Sequence, residues 1–250
     1  MEGEGRLHSK VAVVTGGSRG LGRAMVEAFA AEGADVVVAS RKLDACQEVA
    51  REVSERHARR ALPVACNVSE WEQCDALVDT AYRELGRVDV LVNNAGLSPL
   101  YPSLDQVTES LFDKVIGVNL KGPFRLASLI GTRMAQGDGG SIVNISSMEA
   151  VRPAPEALPY AAAKAGLNAL TEGLARAFAP SVRVNAIQCG PFLTDIATHW
   201  TPEAVQGLID RAALGRCGEP EEVVGAALFF ATAASSYCTG AVLRLDGGSR

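Results

Sequence analysis

The sequence predicts an α/β fold, a single doubly wound parallel sheet with helices on both faces. Three observations carry this. Short β-branched runs alternate with longer helical patterns from end to end of the 250 residues. The runs are apolar at consecutive positions, as strands covered on both faces are. And a glycine-rich turn, Gly16 to Gly22, follows the first run and opens a helical pattern.

In chain order, Lys10–Thr15 reads as a strand, followed by a helix near Leu21–Glu32. Asp35–Ser40 leads to a helix near Leu43–Ala58, and Ala61–Cys66 to one near Glu70–Leu85. Val88–Val92 precedes a long helix within Thr108–Gln136. Ser141–Ser146 precedes a helix near Pro159–Phe178, and Val182–Ile187 precedes an irregular stretch. Helices near Pro202–Ala213 and Glu221–Ala233 and a strand over Ala241–Asp246 complete the pattern. No repeat or linker divides it, so residues 1–250 are expected to form one domain, with 1–9 a loose polar lead-in.

With 48% apolar and 21% charged residues the chain can bury a full core. The net charge of −5 comes with scattered Lys and Arg, which argues against a nucleic-acid surface. No apolar run reaches the ~20 residues that span a bilayer, and the first ten residues lack the apolar stretch of a secretory signal. The six cysteines contain no CxxC and read as free thiols of a reducing compartment, the cytoplasm. His8, His57 and His199 make no ligand spacing, so no metal is expected.

In such a sheet the ligand lies outside the carboxyl ends of the strands. The first of these ends reads Thr15-Gly16-Gly17-Ser18-Arg19-Gly20-Leu21-Gly22. Glycines there let the backbone approach a pyrophosphate placed at the helix N-terminus. The spacing is not GxGxxG, and a tight strand-to-helix turn is the plainer alternative. The same residues spell Gly16-x-Ser18-x-Gly20, a hydrolase nucleophile elbow. That reading needs a histidine at a strand end, and neither His57 nor His199 supplies one.

Further on, Tyr160 and Lys164 stand four apart at the start of a helix, on one face. A phenol ionises near pH ~10. An ammonium ~4 Å away at effective dielectric ~20 would favour phenolate by up to ~4 kcal/mol, about three pH units. Ser147, thirteen residues before Tyr160, would then hold a substrate oxygen against it. A core tyrosine with a snorkelling lysine is the plain alternative.

Together these residues resemble the short-chain dehydrogenase/reductase family along essentially the whole chain. The resemblance is carried by Thr15-Gly16-x3-Gly20-x-Gly22, Asn93-Asn94-Ala95-Gly96, Asn119, Ser147, Tyr160-x3-Lys164 and Asp246-Gly247-Gly248. It implies a Rossmann-type fold, commonly a homotetramer, and an NAD(P)-dependent enzyme that interconverts a carbonyl and a secondary alcohol. Tyr160 would be the acid/base, Ser147 would orient the carbonyl, and Lys164 would lower the tyrosine pKa and bond the nicotinamide ribose. Asn119 would hold a relay water. Cofactor contacts would come from Gly16, Ser18, Arg19, Gly20, Leu21 and Gly22, from Asn94, Ala95 and Gly96 at the ribose, and from Asn67 and Val68 at the adenine. Gly190, Phe192 and Thr194 would complete the nicotinamide side. One departure is Cys189, where relatives usually carry proline; a buried thiol is expected there.

The second strand ends in Ser40-Arg41, with no carboxylate before Asp44 to bond a ribose 2′-hydroxyl. Arg19 and Arg41 instead suit a 2′-phosphate, so NADP is expected, with NAD the alternative. For Ser40 the plain reading is a helix N-cap, and for Arg41 a solvated side chain. The helix near Pro159–Phe178 is Ala- and Leu-rich around most of its circumference, which predicts a partner subunit. Leu97–Tyr101, Met148–Arg152 and Phe192–Trp200 would surround a small-molecule carbonyl or alcohol that the sequence does not specify. A regulator that kept the fold without turnover is the competing reading; it has no chemical need for Asn119, Ser147, Tyr160 and Lys164 together.

Overall fold

The computed structural model describes residues 5–194 and 201–249. Seven parallel strands form one sheet: β1 (Val11–Thr15), β2 (Asp35–Ser40), β3 (Ala61–Ala65), β4 (Val90–Asn93), β5 (Gly140–Ser147), β6 (Val182–Cys189) and β7 (Val242–Leu245). Their order is β3-β2-β1-β4-β5-β6-β7. The chain runs outward from β1 to β3, then returns to place β4 on β1's other side. The crevice between the carboxyl ends of β1 and β4 is therefore the switch point of the sheet.

Alternation on the central strands feeds two cores. Ala12 and Val14 face α1 (Gly20–Ala31), α2 (Leu43–His57) and α8 (Val224–Ala231), meeting Phe29, Val49 and Phe230. Val13 and Ile142 face the other way, toward Leu77 on α3 (Trp71–Leu85) and Ile130 on α5 (Gly122–Ala135). Fully burying side chains of this kind stabilises by about 1.5–3 kcal/mol each. Between the sheet and α6 (Leu158–Phe178) runs a buried polar chain: Asn93 Nδ2 donates to Asn144 Oδ1 at 2.9 Å, and Asn144 Nδ2 to Thr171 Oγ1 at 2.9 Å. Because each of these buried amides requires its partner, the chain fixes where α6 sits on the sheet.

Several sequence expectations change in detail. The long helix expected within Thr108–Gln136 is α4 (Glu109–Ile116) and α5 joined by a π-helical turn, Gly117–Lys121. The helix expected near Glu221–Ala233 is a 3-10 turn, Pro220–Val223, followed by α8. That near Pro202–Ala213 is α7 (Pro202–Arg211). Residues 5–9 are not loose. Leu7 is buried, its N–H donates to Glu32 O at 2.9 Å, and Arg6 pairs with Glu32.

Candidate active site

Strand ends and helix starts converge at the switch point. Thr15 closes β1, and its Oγ1 accepts from the backbone N–H groups of Asn94 (3.0 Å) and Ala95 (3.1 Å). Asn94 Nδ2 donates back to Thr15 O at 2.8 Å. Asn94 thus pins the two crevice walls together rather than presenting its side chain outward, and Thr15, which sequence reading left out of the site, is its partner. Between them the glycines are obligatory. A Cβ on Gly22 would lie 2.2 Å from Gly16 O and 2.5 Å from Asn94 Nδ2, and Gly16 has φ +65°.

The start of α1 carries no side-chain cap and no acidic residue in its first turn. Its N–H groups therefore present an unmatched positive end at the carboxyl end of β1. Gly20 (φ +52°) faces Thr194, whose Cβ and Cγ2 stand 3.3 Å from where a side chain on Gly20 would begin. Ser18 and Leu21 are half-buried in this turn, and Leu21 packs on the core. This turn and uncapped helix suit a dinucleotide pyrophosphate. The hydrolase alternative finds no support here: His57 is engaged by Glu27 at 3.1 Å, and His199 lies outside the described residues.

At the end of β2, Arg41 is exposed, as is Arg19 in the glycine turn. Among the described residues neither has a carboxylate partner, whereas Arg23, Arg125 and Arg133 are paired at 2.5–2.7 Å. The N-cap of α2 is Lys42, not Ser40. Ser40 Oγ lies 3.1 Å from Cys46 Sγ and 3.5 Å from Lys42 O.

The adenine-side expectation is altered. Asn67 Oδ1 accepts from Ser69 N (3.3 Å) and Ser69 Oγ (3.0 Å), a local Asx turn, so the acceptor assigned to adenine is already engaged. Val68 is buried, and its carbonyl accepts from Cys74 Sγ at 3.3 Å. Phe192 is also corrected: its ring is core, packed against Gly218, where a Cβ would meet it at 2.7 Å. Gly190 is held by its N–H to Leu245 O at 2.9 Å. Of the expected substrate wall Phe192–Trp200, residues 195–200 lie outside the described residues.

The catalytic candidates meet on the other side of the crevice. Ser147 is the last residue of β5, and its Oγ accepts from Glu149 N at 3.2 Å. Tyr160, in the first turn of α6, has its hydroxyl pushed up to about 12 by burial, with a hydrogen bond from Ser147 pulling the other way. Lys164 is buried and donates to Ile145 O at 2.7 Å; burial pulls it down to about 8. Its Nζ lies 5.6 Å from the Tyr160 ring centroid. The sequence assigns Lys164 to lowering the tyrosine; here its Nζ is tied to Ile145 O, and burial is the largest influence on the Tyr160 hydroxyl. Asn119, fully buried in the π-helical turn, spends both amide hydrogens on Leu97 O (2.8 Å) and Val115 O (2.9 Å), and its Oδ1 accepts from Leu97 N (3.2 Å). Its side chain clamps Leu97 and Val115, so both of its amide hydrogens are spent within the protein. Cys189 is a buried thiol pushed up to about 12, as expected of an inert residue.

A doubly wound sheet with a glycine turn at its switch point and a Ser–Tyr–Lys cluster opposite defines a dinucleotide-fold oxidoreductase. Comparison with known proteins makes the family specific. The family model described as enoyl-(acyl carrier protein) reductase matches residues 16–250. The 3-oxoacyl-(acyl-carrier-protein) reductase of Thermotoga maritima is 36% identical over 244 residues, 97% of this chain and 98% of that protein. Among solved structures, a 7α-hydroxysteroid dehydrogenase complexed with NADH and 7-oxo glycochenodeoxycholic acid superposes with a TM-score of 0.93 at 32% identity, covering 98% of this chain and 95% of that one. The NADPH-dependent 3-quinuclidinone reductase of Rhodotorula rubra gives 0.91 at 29% identity, covering 97% and 91%. The chain belongs to the short-chain dehydrogenase/reductase family, in its 3-oxoacyl-(acyl-carrier-protein) reductase-like branch. It is an oxidoreductase of small-molecule carbonyl or CH–OH groups. No helix among the described residues is long and apolar enough to cross a membrane.

Proposed function

We propose that the protein is an NADP-preferring oxidoreductase that interconverts a carbonyl and a secondary alcohol, with Tyr160 as the acid/base. The observation that carries this reading is the meeting of Ser147, Tyr160 and buried Lys164 across the crevice from an uncapped, glycine-built helix start. The residues present fit a dinucleotide: Gly16, Ser18, Gly20, Leu21 and Gly22 would receive the pyrophosphate, Arg19, Ser40 and Arg41 the adenosine ribose phosphate, and Gly96 and Thr194 the nicotinamide half. When bound, that group supplies or accepts the hydride.

The chain's own residues do the rest. Ser147 Oγ donates to the substrate oxygen and holds it beside Tyr160. Tyr160, neutral at pH 7 because burial holds it near 12, gives its proton to that oxygen in the reductive direction. Lys164, still an ammonium below about 8, stabilises the phenolate left behind. Asn119 and Asn94 keep the walls in place through Leu97 and Thr15. The two structural relatives differ in their named cofactor, NADH and NADPH; the unpartnered Arg19 and Arg41 favour the phosphorylated one.

We place the protein in the cytoplasm as a homotetramer. All six thiols are free, and exposed Phe112 (45%) and Phe124 (40%) together with the exposed Ala162, Ala165 and Ala169 on α6 supply apolar faces for partner copies. The test is a panel of 3-oxoacyl thioesters, hydroxysteroids, polyols and simple ketones, followed at the nicotinamide absorbance band with each cofactor. Wild-type protein is expected to turn over at least one class, and Tyr160→Phe to lose about 100- to 10,000-fold in rate while retaining fold and cofactor affinity. A Tyr160→Phe protein with wild-type rate would remove the mechanism.

A further inference from the structure

We propose that Tyr101 is a positioning residue that couples the substrate-side segment Leu97–Tyr101 to the catalytic helix; this rests on the reading of Tyr160 as the acid/base group. Helix α6 begins poorly: its N-cap is Ala157 (φ −139°, ψ 25°), with no side-chain hydrogen bond to the first turn. Pro159 has no N–H, so Leu158 N is the first amide that needs an acceptor. That acceptor comes from another segment. Leu158 N donates to Tyr101 Oη at 3.0 Å, and the same hydroxyl donates to Pro155 O at 2.6 Å. One phenol thus accepts from α6 and donates to the loop entering it, two residues before Tyr160, using both faces of its hydroxyl.

The other end of the segment is fastened as firmly. Asn119 Oδ1 accepts from Leu97 N at 3.2 Å and Asn119 Nδ2 donates to Leu97 O at 2.8 Å. The span from Leu97 to Tyr101 is therefore a strap, fixed at one end to the π-helical turn and at the other to the start of α6. Four residue steps separate Leu97 from Tyr101, so their Cα atoms lie no more than about 14 Å apart and neither can move far without the other.

A third tie completes the arrangement. Glu149 donates its N–H to Ser147 Oγ at 3.2 Å, and its Oε2 accepts from Ala154 N at 2.6 Å. That fixes residue 154 relative to Ser147; Ala157 N donates to Ala154 O at 3.0 Å within the loop, and Tyr101 joins Pro155 and Leu158 to the neighbouring segment. Loss of the Tyr101 hydroxyl would therefore let Tyr160 shift relative to Ser147 without disturbing the glycine turn or the β1–β4 crevice.

The test is Tyr101→Phe, which removes one oxygen and keeps the ring. With a substrate from the carbonyl panel, kcat is expected to fall about tenfold, since a small displacement of a reacting group is costly in rate. The cofactor Kd should stay within about twofold and the melting temperature nearly constant. Independently of turnover, amide hydrogen exchange in peptides covering 157–164 should speed up about tenfold while peptides from β1 and α3 keep wild-type rates. Wild-type kcat in Tyr101→Phe, unchanged exchange at the start of α6, or parallel losses in kcat, cofactor affinity and melting temperature would each overturn the proposal. Should the wild type reduce or oxidise nothing on the panel, the proposed function falls, and the exchange measurement still decides whether Tyr101 anchors α6.

Discussion

Raising the pH should separate the two reaction directions, because burial has placed Lys164 below Tyr160 in the order of proton loss. Lys164 is pulled down to about 8 and Tyr160 pushed up to about 12. Reduction needs the phenol as donor, a form that persists through pH 10, and the ammonium as stabiliser of the phenolate. The ammonium is complete below about 8 and lost above it. At 5.6 Å from the ring, a unit charge at effective dielectric ~20 is worth about 3 kcal/mol, or roughly 150-fold in rate. The reductive kcat should therefore be level to about pH 7.5 and then fall close to tenfold per pH unit. The fall should reach about 100-fold by pH 10. Oxidation needs the phenolate as base, so its rate should climb with pH over the same range. The assay is initial rate at the nicotinamide band from pH 5.5 to 10 in both directions, with Lys164→Ala as control lacking the break near 8. A reductive profile flat to pH 10 in the wild type, or a break that survives in Lys164→Ala, would refute the assignment of this electrostatic role.

Two further outcomes follow from the cofactor side. Gly22→Ala puts a Cβ 2.2 Å from Gly16 O and 2.5 Å from Asn94 Nδ2, both fixed groups, so about 1–3 kcal/mol of stability and most NADPH affinity should be lost; thermal melting with and without NADPH reads both, and a melt identical to wild type would contradict the packing. Arg41→Ala removes an exposed, unpaired guanidinium, so NADPH affinity should weaken about 10- to 100-fold with NADH affinity nearly unchanged, measured by calorimetric titration; a wild-type preference for NADH would reverse that reading.

The strand–helix alternation and the glycine turn were readable because both are local: β-branched runs of five or six residues and a break at Gly16 to Gly22 leave few other structures. Tyr160 and Lys164 were readable because four residues in a helix make one face. What sequence reading missed was decided by distant contacts. Asn119 is a costly residue mid-helix, yet the π-helical turn that buries it depends on Leu97, twenty-two positions away. Phe192 was assigned to the cofactor by its place in a motif, whereas its side-chain direction is set by the glycine at 218. The Asx turn at Asn67 could have been found, since Asn-Val-Ser is a local pattern with a known backbone bond. The proton affinities of Tyr160 and Lys164 could not, because the sequence gives the spacing of a charge but not the water it loses.

The two halves of the crevice therefore work in different electrostatic regimes. Lys164 and Tyr160 are governed by burial, where each change of environment moves proton affinity and salt has little access. Arg19 and Arg41 stand in solvent, where a charge contributes through direct hydrogen bonds and is screened over roughly 8 Å at physiological salt. On the proposed reading, cofactor choice would rest on side chains that can change without altering the core, the strap at Leu97–Tyr101 or the Asn93–Asn144–Thr171 chain beneath α6. The proposed acid–base pair would have no such freedom, because shifting Lys164 means rebuilding the packing that holds it against Ile145. Relatives with one fold and different nicotinamide cofactors are what this division would produce, with the loop after β2 free to vary and the start of α6 constrained.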